Sequence, residues 1–126
     1  MTRYLLDTHI LLWWLSDDHK LGKARRDLII KSTNHIIVST VSIWEIVIKQ
    51  SLNKLKAPDN LKEVLSENEF EILAIVPDHV LYLKNLPAIH NDPFDRLLIS
   101  QSIYEDLTFV TADEIIPKYK IDCFEV

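Results

Sequence analysis

With 126 residues, 48% of them hydrophobic and 26% charged, the chain has the balance of a soluble globular protein and the length of one ordinary domain, residues 1–126. A chain of this size buries about two-thirds of its unfolded surface, so neither a disulfide framework nor a structural metal is required, and the lone Cys123 fits a reducing compartment. The net charge of −5 has the wrong sign for a general polyanion binder, and the apolar run after Arg3 is broken by Asp7 and His9, so neither a membrane span nor a secretory leader is expected there and a cytoplasmic location is the expectation.

In chain order, Arg3–Asp7 is expected to be a strand and Ile10–Leu15 a helix ending near Ser16-Asp17. Leu21, Ala24, Leu28 and Ile29 fall at helical spacing within a segment running to Lys31. His35–Ser39 is a continuous β-branched run of the kind found in strands covered on both faces. Thr40–Leu55 is expected to be helical, and Pro58 to open a further helix reaching about Glu69. Phe70–Val76 reads as a strand, Pro77 to Leu86 as a short helix, and Asp92-Pro93 as the start of a helix reaching about Asp106. Thr108–Thr111 is a fourth strand, Asp113–Tyr119 a helical turn and Ile121–Val126 a last short strand.

Strands that alternate with helices, with no tight hairpin between them, predict a parallel α/β sheet with helices on both faces. The single glycine, Gly22, excludes a glycine-rich phosphate loop. Two stretches are basic: Lys20, Lys23, Arg25, Arg26 and Lys31 stand against Asp27 alone, and Lys49–Lys56 holds three lysines and no acid. Each reads first as a solvated helix face.

Ligands of an open parallel sheet bind at the carboxyl ends of its strands. Asp7 and Asp113 lie at such ends, and Glu45 and Asp95 lie in the first turns of helices. Each acid also has a simpler use. Asp7 serves as a helix cap, Ser42 to Glu45 and Thr111 to Glu114 fit capping boxes, Glu45 pairs with Lys49 one turn on, and Asp95 follows the Asp92-Pro93 cap at the positive end of its helix. What a cap does not need is an apolar setting, and Asp7 lies between Leu5-Leu6 and Ile10-Leu11-Leu12 while Asp95 precedes Leu98 and Ile99. Carboxylates gathered at a half-buried edge repel one another, and an oxygen-only site of this kind suits Mg²⁺ or Mn²⁺. With four acids set aside for such a site, 14 basic residues face 15 remaining acidic ones, so the overall charge does not exclude RNA.

The chain resembles the PIN-domain family, and within it the VapC-type toxins of toxin–antitoxin pairs. The resemblance is carried by Tyr4-Leu5-Leu6-Asp7-Thr8-His9 with Ile10–Trp14, by Ser39–Ile46 around Trp44-Glu45, by His90-Asn91-Asp92-Pro93-Phe94-Asp95-Arg96, and by Val110-Thr111-Ala112-Asp113. It implies a three-layer α/β/α fold with strand order 3-2-1-4-5 and Mg²⁺- or Mn²⁺-dependent cleavage of RNA. It makes Asp7, Glu45, Asp95 and Asp113 the catalytic acids, Asp7 and Asp95 the main metal ligands, and Thr8 and Thr111 supporting hydroxyls. It also implies homodimerisation and inhibition by a small antitoxin whose tail covers the acids.

Asp92 reads as a helix cap, His9 and His90 as structural histidines, and Trp13, Trp14 and Trp44 as core. Arg96 either pairs with an acid or touches phosphate. Two other classes compete with the nuclease. A phosphoacceptor receiver would want an acid beside Asp7, which has none. A catalytically silent PIN-like scaffold for RNA or protein would lack a member of the acidic quartet, and all four are present.

Overall fold

The computed structural model describes residues 2–126. Four parallel strands, β1 (Arg3–Leu6), β2 (His35–Ser39), β3 (Glu71–Leu73) and β4 (Thr108–Val110), form a sheet of order β3-β2-β1-β4. Among the described residues six α-helices accompany them: α1 (Thr8–Leu15), α2 (Lys23–Ile30), α3 (Thr40–Ser51), α4 (Leu61–Glu67), α5 (Pro77–Leu81) and α6 (Pro93–Tyr104).

Side chains alternate across a strand, and here both faces are covered. Leu5, Ile37 and Phe109 point into one apolar cluster with Val41 and with Leu97, Leu98 and Ile99 of α6. Leu6, Ile36, Val38 and Val110 point into the other, against Ile10 and Leu11 of α1, Leu28 and Ile29 of α2, Ile46 of α3 and Leu65 of α4. Leu5 and Leu6 are adjacent and both fully buried, which requires a three-layer arrangement. Cutting either back to alanine is expected to cost about 3 kcal/mol.

The expected fifth strand is reduced to one parallel bridge, Phe109 with Cys123, so the order 3-2-1-4-5 is present as four strands and a bridge. β4 explains the truncation. Of its three residues, Thr108 and Val110 face β1, and Phe109 turns its N–H to the Asp122 carbonyl and its carbonyl to the Phe124 N–H. The helix expected to reach Leu55 stops at Ser51, and Asn53 closes it in the left-handed region at φ 57°. Pro58 consequently lies in a loop, and α4 begins at Leu61. The strand expected over Phe70–Val76 is confined to Glu71–Leu73.

Candidate active site

Parallel strands deliver their following helices to one edge of the sheet, and at that edge the four acids meet. Asp7 follows β1 and caps α1, its Oδ1 accepting the His9 N–H at 2.7 Å. Glu45 comes from the second turn of α3, which starts immediately after β2 with Ser39 as its cap. Ser39, not Ser42, accepts the Val41 N–H, so the expected capping box around Glu45 does not form and its carboxylate is free for the edge. Asp95 stands in the first turn of α6, whose cap is Asp92, accepting the N–H groups of Phe94 and Asp95. Asp113 follows β4 and accepts the Ile115 N–H at 2.8 Å.

Thr111 ties two of these acids together. Its hydroxyl donates to Asp7 Oδ2 at 2.6 Å and accepts the Asp113 N–H at 3.0 Å. Thr8 has a different partner, donating to the Ser42 hydroxyl at 2.9 Å and so joining α1 to α3 behind the acids. Arg25 on α2, from the basic stretch read as solvent-facing, reaches the Thr111 carbonyl and the Leu21 carbonyl and braces the end of β4.

His90, read from the sequence as a structural histidine, joins the acids directly. Its Nε2 lies 2.9 Å from Asp113 Oδ2 and 3.1 Å from Asp95 Oδ2. The Asp92 N–H points at its Nδ1 at 3.0 Å, which makes Nδ1 the acceptor and places the ring proton on Nε2, between the two carboxylates. Ligand atoms of His90, Asp95 and Asp113 lie within 4.8 Å of one another, the spacing of a metal triad. The tautomer argues for another role, because a nitrogen that carries a proton cannot ligate. His90 is therefore a donor that crosslinks Asp95 to Asp113. Burial pulls its pKa down, but the Asp113 hydrogen bond and the charges of Asp95, Asp113 and Asp92 outweigh this and the net shift is upward. A second, independent support holds the ring's backbone: the His90 N–H donates to the Tyr119 hydroxyl at 2.7 Å, and Arg96 spans from the Pro87 carbonyl towards the same hydroxyl.

The opposite side of the cluster is less well satisfied. Asp7 and Glu45 are 3% and 2% exposed. Glu45 Oε2 pairs with Lys49, while Oε1 is buried with no partner among the described residues. Burial raises the Asp7 carboxyl above its ordinary range despite its hydrogen bonds to Thr111 and the His9 N–H. Burial, then the charges of Asp7 and Asp92, push Asp95 up to about 7 against the lowering influence of His90. Asp113 goes the other way: its burial is outweighed by the Ile115 N–H and His90, and its pKa falls. An orphaned carboxylate oxygen beside two carboxyls that resist ionisation is the pattern a divalent cation would relieve. Asp7, Glu45 and Asp95 act on one another through their charges and carry oxygens of the chemistry that suits Mg²⁺ or Mn²⁺, while among the described residues the only group of three with ligand atoms within 4.8 Å of one another is His90, Asp95 and Asp113.

Trp13 and Trp14 pack against the core as expected. Trp44 does not: it is half-exposed, edge-on to Phe94 with ring centroids 4.8 Å apart. Cys123 is pushed up by burial and by the neighbouring charges of Asp122 and Glu125, away from reactivity. Among the described residues no helix is long and apolar enough to cross a membrane.

Residues 4–121 match the sequence model of a family described as PIN domain. No curated protein matches the chain. Among solved structures, a chain of the VapBC2 complex of Rickettsia felis, bound to a DNA fragment from its promoter, superimposes with a TM-score of 0.73 at 19% identity over 98% of both chains. A chain of the DNA-bound VapBC complex of Salmonella typhimurium gives 0.71 at 17% identity, and one of VapBC-1 from nontypeable Haemophilus influenzae 0.65 at 15%, again over 98% of each chain. At these identities the likeness is one of fold.

Proposed function

Because this chain belongs to the PIN-domain family, we propose that it is a divalent-metal-dependent endoribonuclease whose acidic site is Asp7, Glu45, Asp95 and Asp113. The observation that carries this reading is the unpartnered Glu45 Oε1 among carboxylates whose burial outruns their hydrogen bonding. A structural cap has no use for such an arrangement. RNA as substrate follows from the resemblance of the four motifs to VapC-type toxins. The fold shared with chains of three VapBC complexes supports a toxin role, with a small antitoxin as partner. A homodimer and a cytoplasmic location belong to the same reading.

A bound Mg²⁺ or Mn²⁺ would supply an activated water and charge stabilisation at the phosphodiester under in-line attack. Asp7 and Asp95 would hold it, with the unpartnered Glu45 Oε1 as a further oxygen of the acid cluster. Thr111 fixes the Asp7 carboxylate, and the His90 N–H fixes Asp95 relative to Asp113. The rigid strand ends and helix starts keep these oxygens in place before substrate arrives, which is how such a site lowers the reorganisation needed for reaction.

The test is cleavage of a pool of structured cellular RNAs by purified protein with Mg²⁺ or Mn²⁺, with EDTA, and by Asp7→Asn. Cleavage that needs both metal and Asp7 is expected. Folded, antitoxin-free protein that cleaves no RNA with either metal would point instead to a silent scaffold.

A further inference from the structure

Beside the acids, and sharing Glu45 with them, a cleft of about 420 Å³ opens between α1 and the end of α3. His9, Lys49 and Lys54 stand on its walls, with Leu12 and Leu55 as apolar surface. We propose that this cleft is a phosphate subsite for single-stranded RNA, taking the backbone next to the scissile bond, with Lys54 as the contacting cation. The proposal rests on the ribonuclease reading and adds to it the direction in which the strand leaves the acids.

The need for such a subsite is electrostatic. A polyanion approaching four carboxylates is repelled on every side that lacks a cation, and affinity for nucleic acid comes largely from neutralised phosphates. Lys49 is already committed, since its ammonium pairs with Glu45 one turn earlier on the same helix. Lys54 is not: among the described residues it has no acidic partner.

Nor is Lys54 carried on a slack loop. The left-handed Asn53 reverses the chain, and the Lys54 N–H returns to the Lys49 carbonyl at 2.8 Å while that of Asn53 returns to Gln50 at 3.0 Å. The Gln50 side chain donates to the Ala57 carbonyl at 3.1 Å and ties the following segment to α3. These bonds keep the lysine's backbone beside Lys49. On the facing wall His9 is exposed, its backbone fixed by Asp7. Leu12 and Leu55 offer apolar contact to a sugar or base, so the cleft holds both a cation for phosphate and carbon for the rest of a nucleotide.

The experiment is equilibrium binding of a short labelled single-stranded RNA of mixed sequence to the full chain. It is run in Ca²⁺, which occupies carboxylate sites in a looser geometry than Mg²⁺, over a series of salt concentrations. Lys54→Ala is expected to bind about fivefold more weakly and to lose about 0.7 from the slope of log K against log salt, the share of one single-strand phosphate contact. Lys54→Glu should be weaker still, and Lys120→Ala, far along the chain from this cleft, should match the wild type. Wild-type affinity and slope in Lys54→Ala would overturn the subsite, and so would an equal loss in Lys120→Ala, which would mean charge without a site. If metal- and Asp7-dependent cleavage stands while Lys54→Ala is silent, only the subsite fails. If Lys54→Ala behaves as expected and no RNA is ever cut, the nuclease reading fails and the subsite survives. A protein that binds no RNA at any salt overturns both.

Discussion

Two clusters in this molecule bring a histidine, carboxylate and hydroxyl groups together in buried or half-buried surroundings, and they are finished differently. Between α5 and α6 the fully buried His79 accepts the Val76 N–H on Nδ1, as does the acid cluster's His90 from Asp92, and turns Nε2 to Glu105 at 2.7 Å. Gln101 reaches the same Nδ1 and accepts from Ser39, and Ser100 donates to the His79 carbonyl at 2.6 Å. Each of these side chains has its partners. At the acid edge, by contrast, Glu45 Oε1 has none and two carboxyls are pushed towards neutrality. Buried polar groups that are satisfied stabilise a fold; one left short, as Glu45 Oε1 is among carboxylates, calls for a partner that the fold itself does not supply.

The contrast can be broken by substitution, and the largest effect belongs to the acids. Asp95→Asn should lower metal-dependent RNA cleavage by about a thousandfold, roughly 4 kcal/mol of transition-state stabilisation, without unfolding the protein. Single-turnover cleavage and a circular dichroism melt read the two halves of that statement. His79→Ala should do the reverse. It strands Val76, Gln101 and Glu105 and is expected to cost about 3 kcal/mol in urea unfolding, with the activity of the folded fraction unchanged.

His90 lies between these extremes. Removing its N–H in His90→Ala should reduce cleavage by about 10- to 100-fold, as loss of a group that orients metal-binding carboxylates does. His90→Gln, which keeps an N–H donor, should recover part of it. An Ala variant as active as wild type would leave His90 a purely structural group.

The smallest effect is on pH. A carboxyl whose folded pKa is raised favours the folded state below its ordinary value and loses that contribution as pH rises through the folded one. For Asp95 that window runs from 3.8 to about 7, and Asp7 shifts in the same direction. Asp113 has the opposite sign, contributing above its ordinary value and losing this in acid. Metal-free protein should therefore lose a few degrees of Tm as pH rises from about 5 to about 8, and Asp95→Asn should flatten that loss. An equal decline in the variant would place the titration elsewhere.

Much of this was legible in the chain. Alternating β-branched and helical segments give the layers, and acids embedded in apolar runs, such as Asp7 after Leu5-Leu6, mark the edge because a mere cap needs no such setting. The misreadings have local causes. Leu52 and Leu55 continue the apolar spacing of α3, and nothing in composition shows that Asn53 will turn left-handed. Ser42 is spaced to form a capping box with Glu45, yet the helix begins at Thr40, where it was expected, and Ser39 at the end of β2 caps it instead. His90 was read as structural because its partner Asp113 is 23 residues away, and Trp44 as core because helical spacing does not say which apolar side chains reach solvent. Lys54 looked like any solvated lysine until the cap beneath it was visible.

The central claim is that the acid edge is incomplete without a divalent cation, and thermal unfolding of wild type and Asp95→Asn with and without Mn²⁺ tests it most directly. The account predicts that the metal-free variant melts above the metal-free wild type at neutral pH, and that Mn²⁺ raises the Tm of the wild type but not of the variant. A metal-free variant less stable than the wild type, with Mn²⁺ leaving both unchanged, would contradict it.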